Sequence, residues 1–245
     1  MINNASKFIR KRGVDIIAIT ANRIDAIVWY VSECYQLICK DNPKYQIDRK
    51  NSKIKFEDYL RFRLVDDYLR KNKCLIASKY PELAEINFHC EEQTEYYDIN
   101  KKEKNADKID ITVNRLALQE AWNDTDENIY FAIECKRIKV LSDCEAYTID
   151  TEKFANRSYL NTRLPLEGQL AFIESGKLNH NSVSTEINKR LPSRTTLTTK
   201  QLLINTSKHS SFNGCYQSIH KRNYNKKEDF EVLHLLFDYS SFVVE

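Results

Sequence analysis

Glycine and proline are scarce, four of each in 245 residues. That excludes a collagen-like or loop-rich chain and leaves long stretches for regular elements. No CxxC pair occurs among the seven cysteines, so neither a zinc knuckle nor a thioredoxin-like centre is indicated. Their odd number and wide scatter suit reduced thiols packed as small hydrophobes. There is no glycine-rich phosphate loop, so the chain is not expected to bind ATP. No GxSxG elbow appears either, and the five histidines lack a convincing nucleophile partner, which leaves a Ser/His/Asp hydrolase unsupported. Long hydrophobic runs are also missing. The apolar stretch at 14–19 follows Lys7, Arg10, Lys11 and Arg12, but Arg23 and Asp25 cut it short. It is too brief for a secretion signal or a membrane span, so no membrane association and a cytoplasmic location are expected. Finally, charge of one sign is not in excess. With 38 basic and 35 acidic residues the net charge is +3, and any nucleic-acid contact must rest on local patches.

What is present is a globular composition, 42% hydrophobic and 30% charged, long enough for a sizeable core. Over residues 22–40, Ile24, Ile27, Val28, Val31, Tyr35 and Ile38 fall on one helical stripe. Residues 54–72 repeat the pattern with Phe56, Tyr59, Leu60, Leu64, Tyr68 and Leu69. A polar connection containing Pro43 separates them. After Pro81 the pattern changes: 85–99 reads as extended and leads into a lysine-rich loop at 100–108. Ile109, Ile111 and Val113 then alternate with Asp110 and Thr112, a period-two strand. A second strand follows an acidic turn region at 123–128, with Ile133 and Cys135 on one face and Glu134 and Lys136 on the other. The two strands read as a hairpin. Residues 151–175 place Leu166, Leu170 and Ile173 at helical spacing, with Pro165 as an opener and Gly176 as a stop. The Ser/Thr-rich run at 179–199 reads as a loop, and strands are expected near 201–206 and 230–238. The expected fold class is α/β, a central mixed sheet flanked by helices. A helical N-terminal region (1–53) would precede the main domain (54–245), as a docking or dimerising element or as packing for the sheet.

A carboxylate and an ammonium side by side on an apolar strand are costly unless something there uses them. Phosphodiester hydrolysis supplies such a use. It needs a hard cation, bound through one or two carboxylates, and a positive group beside the attacked phosphorus. Asp110 and Glu134 can supply the carboxylates. Lys136 can position or deprotonate the water, or stabilise the transition state. The bland alternative is a solvent-exposed pair contributing little.

Here the sequence resembles the PD-(D/E)xK nucleases, the restriction-endonuclease-like superfamily. The matching residues are Asp110 in KIDITV and Glu134-Cys135-Lys136 in IYFAIECKR; Ile109 stands where the motif has proline, and Asp107 is a neighbouring competitor. The resemblance spans 55–240 and implies Mg²⁺- or Mn²⁺-dependent cleavage of DNA, in a restriction or anti-phage defence setting. It also implies that Glu57 completes the metal site from a helix. Gln169, in EGQLAFIESG, would face the pocket from the helix after the ExK strand. Arg137, Lys139, Lys221 and Arg222 are candidates for gripping phosphates, with Tyr216 and Tyr224 as weaker candidates for stacking on bases. His234 reads as a satisfied core histidine. A homodimer or a partner subunit is expected. The alternative reading keeps the fold without the chemistry, as a silent nucleic-acid-binding or scaffolding subunit.

Overall fold

The computed structural model describes residues 3–48, 50–114, 131–159, 166–206, 208–223 and 228–244, with side chains of the first helix described from residue 22. Three helical segments come first: α1 (Asn3–Asp41), α2 (Phe56–Arg63, continued by a wider turn over Leu64–Leu69) and α3 (Lys73–Lys79). Then follow β1 (Asn87–Asp98), β2 (Glu103–Asn114), β3 (Phe131–Ile138), α4 (Cys144–Asn156), β4 (Arg157–Tyr159), β5 (Leu166–Ile173), α5 (His180–Arg190), β6 (Thr198–Asn205), β7 (Cys215–Lys221) and β8 (Asp229–Asp238). The fold is α/β. The eight strands form a single mixed sheet in the order β4-β1-β2-β3-β5-β8-β7-β6, parallel across β3, β5 and β8 and antiparallel elsewhere. Among the described residues no helix is long and apolar enough to cross a membrane.

Side-chain alternation on the central strands builds a core on each face. Ile133 and Cys135 of β3, Leu170 and Phe172 of β5, and Leu233, Leu235 and Phe237 of β8 face α1 and α2. The stripe from Ile24 to Ile38 packs into that same core, so this part of α1 covers the sheet. Ile138, Ala171, Ile173, Val232 and Leu236 face the other way, against α4 and α5.

Three expectations need correction. Residues 166–173 are a strand, not the second half of a helix: seven of its eight residues are buried, because helices cover both faces. A strand buried on both sides gives a continuous apolar run whose spacing mimics a helix. Pro165 lies outside the described residues. The run at 179–199 is not a loop. It contains α5, which Asn179 opens by accepting a hydrogen bond from the Ser182 N–H, while Ser182 caps back onto Asn179. The strand half of the lysine-rich segment, from Glu103 onward, was hidden by its polarity, since β2 there runs along the sheet's wet end. The hairpin pairs as expected, with Ile111 opposite Ile133 and Val113 opposite Phe131. Its acidic connection at 123–128 lies outside the described residues.

Gly168 allows β5 to lie close to β3. A Cβ there would sit 2.9 Å from the Ala132 carbonyl oxygen and 2.8 Å from the Phe131 ring. Gly168→Ala is expected to lower stability by about 1–3 kcal/mol, the usual cost of overpacking a filled core. Urea unfolding checks this, and an unchanged midpoint would refute it.

Beneath α4 runs a buried polar chain. Thr199 is bonded to His220, both His220 and His234 are bonded to Ser218, and His234 is bonded to the Tyr147 hydroxyl. Burial pulls His220 down from 6.5 to about 3, and His234 is lowered by burial and by His220. A histidine kept neutral in the fold takes up its proton only on unfolding. Stability is therefore lost as pH falls below 6.5, by up to about 1.4 kcal/mol per pH unit for His220 alone. Urea unfolding at several pH values should give a shallower acid slope for His220→Gln than for wild type. Equal slopes would count against it.

Candidate active site

The site forms where two strands part. The β2–β3 ladder ends at Ile111 and Ile133, while β3 runs on to Ile138 beside β5. The backbone N–H groups of Cys135 and Arg137, which a continuing strand would have bonded, are taken by carboxylates. The Cys135 N–H donates to Asp110 Oδ2 at 2.7 Å, and the Arg137 N–H donates to Glu57 Oε2 at 2.9 Å. Buried N–H groups need partners, so this pairing fixes where both acids sit.

Asp110 and Glu134 would be the next pair of the ladder, which sets the two carboxylates level on neighbouring strands. Lys136 approaches from the same strand. Its Nζ lies 3.0 Å from Asp150 Oδ2 and 3.5 Å from Glu57 Oε1. Asp150 comes from α4 and Glu57 from α2, so the ammonium is held between the two helical layers. Burial pulls the Lys136 pKa down, but Asp150 and Glu57 outweigh it and raise the pKa. Burial raises Asp110, against Arg61 and the Cys135 N–H. It also raises Glu57, against Lys136 and the Arg137 N–H.

Compared with known protein families, curated proteins and solved structures, the chain matches none.

Asp110, Glu134, Lys136 and Glu57 are brought together. Asp107 is not part of the group; it pairs with Arg157. Gln169 is the register neighbour of Glu134 on β5, but both ends of its amide are committed under α4. Its oxygen accepts from Thr151 at 2.7 Å and its nitrogen donates to the Tyr147 carbonyl at 3.0 Å. Arg137 stacks 4.5 Å from the Phe56 ring centre and forks onto Glu174, while Lys139 Nζ lies 3.9 Å from Glu174. Arg137 also lines two adjoining clefts of about 760 and 550 Å³ beside Glu57, with Lys50, Lys53, Lys55 and Lys139 on their walls.

The second basic cluster stands apart. Glu134 is level with Gln169, His234 and Tyr216 across four strands, and Lys221 lies five residues beyond Tyr216. Arg222 is 4% exposed and holds Glu167 and the Phe154 carbonyl at 2.8 and 2.7 Å. It braces the fold and presents no guanidinium to a phosphate. Tyr216 is likewise buried, bonded to His180 and Asn181, so it offers no face to a base. Tyr224 lies outside the described residues. His234 is fully buried and bonded at both ring nitrogens.

Four further residues belong to the charge cluster and to no expected motif: Arg61 with its partners Asp58 and Glu91, and Asp150 beside Lys136. Arg61 stands four after Glu57, a spacing that puts both on one face of α2, and that signal was available. Asp150 precedes the expected segment at 151–175 because the helix that carries it, α4, starts at Cys144.

The donors of the site are hard oxygens. Among the described residues no group of three or more His, Cys, Asp or Glu forms a ready-made metal cage. A paired Asp110 and Glu134 fit a small divalent ion that keeps several waters and takes further oxygens from a phosphate. Such binding needs the carboxyls ionised, and the raised pKa of Asp110 means a proton competes there at higher pH than for an ordinary acid. Affinity for Mn²⁺ is expected to fall steadily from about pH 7 to about pH 5 in calorimetric titrations. A flat profile would show that these acids are not the ligands.

Proposed function

We propose that the chain is a divalent-metal-dependent endonuclease that hydrolyses DNA phosphodiester bonds, with a restriction-endonuclease-like fold. The observation that carries this reading is that Asp110, fixed by the Cys135 N–H and level with Glu134, stands beside the Lys136 ammonium at the gap between β2 and β3. A mixed sheet with helices on both faces supports it. So do the basic clefts that open beside Glu57. The setting in restriction or anti-phage defence rests on the resemblance of the motif.

Asp110 and Glu134 would hold Mg²⁺ or Mn²⁺, with Glu57 in reach of the same charge cluster. When bound, the ion supplies Lewis acidity toward the phosphate and lowers the pKa of a coordinated water. The protein's own contribution is clearest at Lys136. Asp150 and Glu57 keep it protonated, so it is a poor base for the attacking water. Its part is to donate hydrogen bonds and place positive charge where negative charge grows on the phosphate. Lys50, Lys53, Lys55 and Lys139 along the clefts would hold the phosphates flanking the scissile bond.

Supercoiled and linear DNA incubated with Mg²⁺, Mn²⁺ or EDTA test the reading. Nicking is expected with either ion and none in EDTA. Glu134→Ala and Lys136→Ala should each lower the rate by about 10²-fold or more while leaving the circular dichroism spectrum unchanged. Full activity in either variant would remove the proposal. The silent-subunit reading gains from the contact between Arg61 and Asp110, which already neutralises one metal ligand. It predicts DNA retention without nicking under every ion.

A further inference from the structure

Among the described residues Arg61 is the largest of the fully buried side chains, 2% exposed. Its guanidinium bridges three carboxylates. One terminal nitrogen bonds Asp110 Oδ1, and the other bonds Glu91 Oε1 at 2.7 Å and Asp58 Oδ1 at 3.1 Å. The third nitrogen, Nε, is buried with no hydrogen-bond partner. A side chain recruited merely to satisfy hydrogen bonds would not leave that donor orphaned. What the position supplies is a fixed positive charge among acids from three separate elements.

The backbone is bent to create this arrangement. Glu91 has φ of 58°, left-handed for a residue with a Cβ. Pairing of β1 with β2 passes from Cys90–Ile111 to Glu92–Ile109, skipping the level of Glu91 and Asp110. That irregularity presents both carboxylates to Arg61, and strain of this kind persists only where the surroundings impose it. Asp58, one residue after Glu57 on α2, closes the third side.

Asp58, Glu91 and Asp110 are thus an oxygen set around a cation, and the cation is the protein's own. Asp110 faces two ways, its Oδ2 toward the Cys135 N–H beside Glu134 and its Oδ1 toward Arg61. We infer that Arg61 is a resident cation filling a second ion position, so that the site takes one divalent ion where its carboxylates would hold two. The inference rests on the nuclease reading for the first ion. Arg61 is a positioning residue: it holds Asp110 in place while remaining charged at any working pH, as a guanidinium does. It also neutralises charge that would otherwise require metal, which lets the site assemble before an ion arrives.

Counting bound Mn²⁺ on the full chain, by electron paramagnetic resonance and calorimetry, tests this. Wild type is expected to bind one equivalent and Arg61→Gln two, the second being lost again in Arg61→Gln/Glu91→Gln. Arg61→Lys, which keeps the charge, should bind one. Two ions on the wild type, or no additional ion on Arg61→Gln, would overturn the inference. If three uncompensated carboxylates unfold Arg61→Gln, the same second equivalent is expected in Arg61→Gln/Asp58→Asn, which carries less repulsion, and its absence there is equally fatal. Plasmid nicking scored alongside separates the two levels. A wild type that nicks DNA with two ions bound sinks only the role of Arg61. One that binds no Mn²⁺ and does not nick sinks the nuclease reading with it.

Discussion

The interaction on which the site depends is the replacement of a strand by two carboxylates. β3 continues past the point where β2 leaves it, and its N–H groups at Cys135 and Arg137 would face an open edge. Asp110 and Glu57 close that edge with hydrogen bonds of 2.7 and 2.9 Å. An unsatisfied buried N–H costs about 1–3 kcal/mol, so the acids are held there by the folding of the sheet itself. Glu134 and Lys136 then project into a space already bounded by negative charge. Structural need and chemical opportunity coincide at this gap.

Gathering acids in a half-buried place requires compensation, and the compensation is divided. Lys136 answers Glu57 and Asp150, while Arg61 answers Asp58, Glu91 and Asp110. The cations differ in kind. Arg61 is enclosed and forks across its partners, as suits a planar guanidinium. Lys136 is a quarter exposed, a point charge able to turn toward a ligand. The enclosed cation is suited to holding the frame, and the exposed one to meeting a substrate.

The legible parts of this architecture were those whose periodicity is set by one buried face. The stripe of α1, the strand around Asp110, and the alternation of Glu134 and Lys136 against Ile133 and Cys135 all belong to that class. β5 reads as helical because both its faces are buried, which erases alternation. α5 reads as a loop because its cap, Asn179 with Ser182, sits in a polar run. Charge was the least readable feature. Arg137 and Arg222 look alike in sequence, yet one lines a cleft and the other lies under α4 against Glu167. Sequence spacing says which residues share a face, but ion pairing across layers depends on how faces meet. Asp150 and Glu91 become visible only with the layers in place.

Gln169 shows how the second row of the sheet supports the first. It is level with Glu134 but turned to α4, where it ties Thr151 and the Tyr147 carbonyl. Those two residues flank Asp150 along the helix. The Tyr147 hydroxyl is in turn fixed by His234, and through Ser218 by His220. The helix is thereby pinned on both sides of the residue that grips Lys136. A polar network with both histidines neutral resists being pulled apart, because its members have no water to return to without unfolding the core. The position of the ammonium is thus set by groups that never approach a phosphate. Gln169 bears on the site through the placement of Asp150, its own amide being committed to α4.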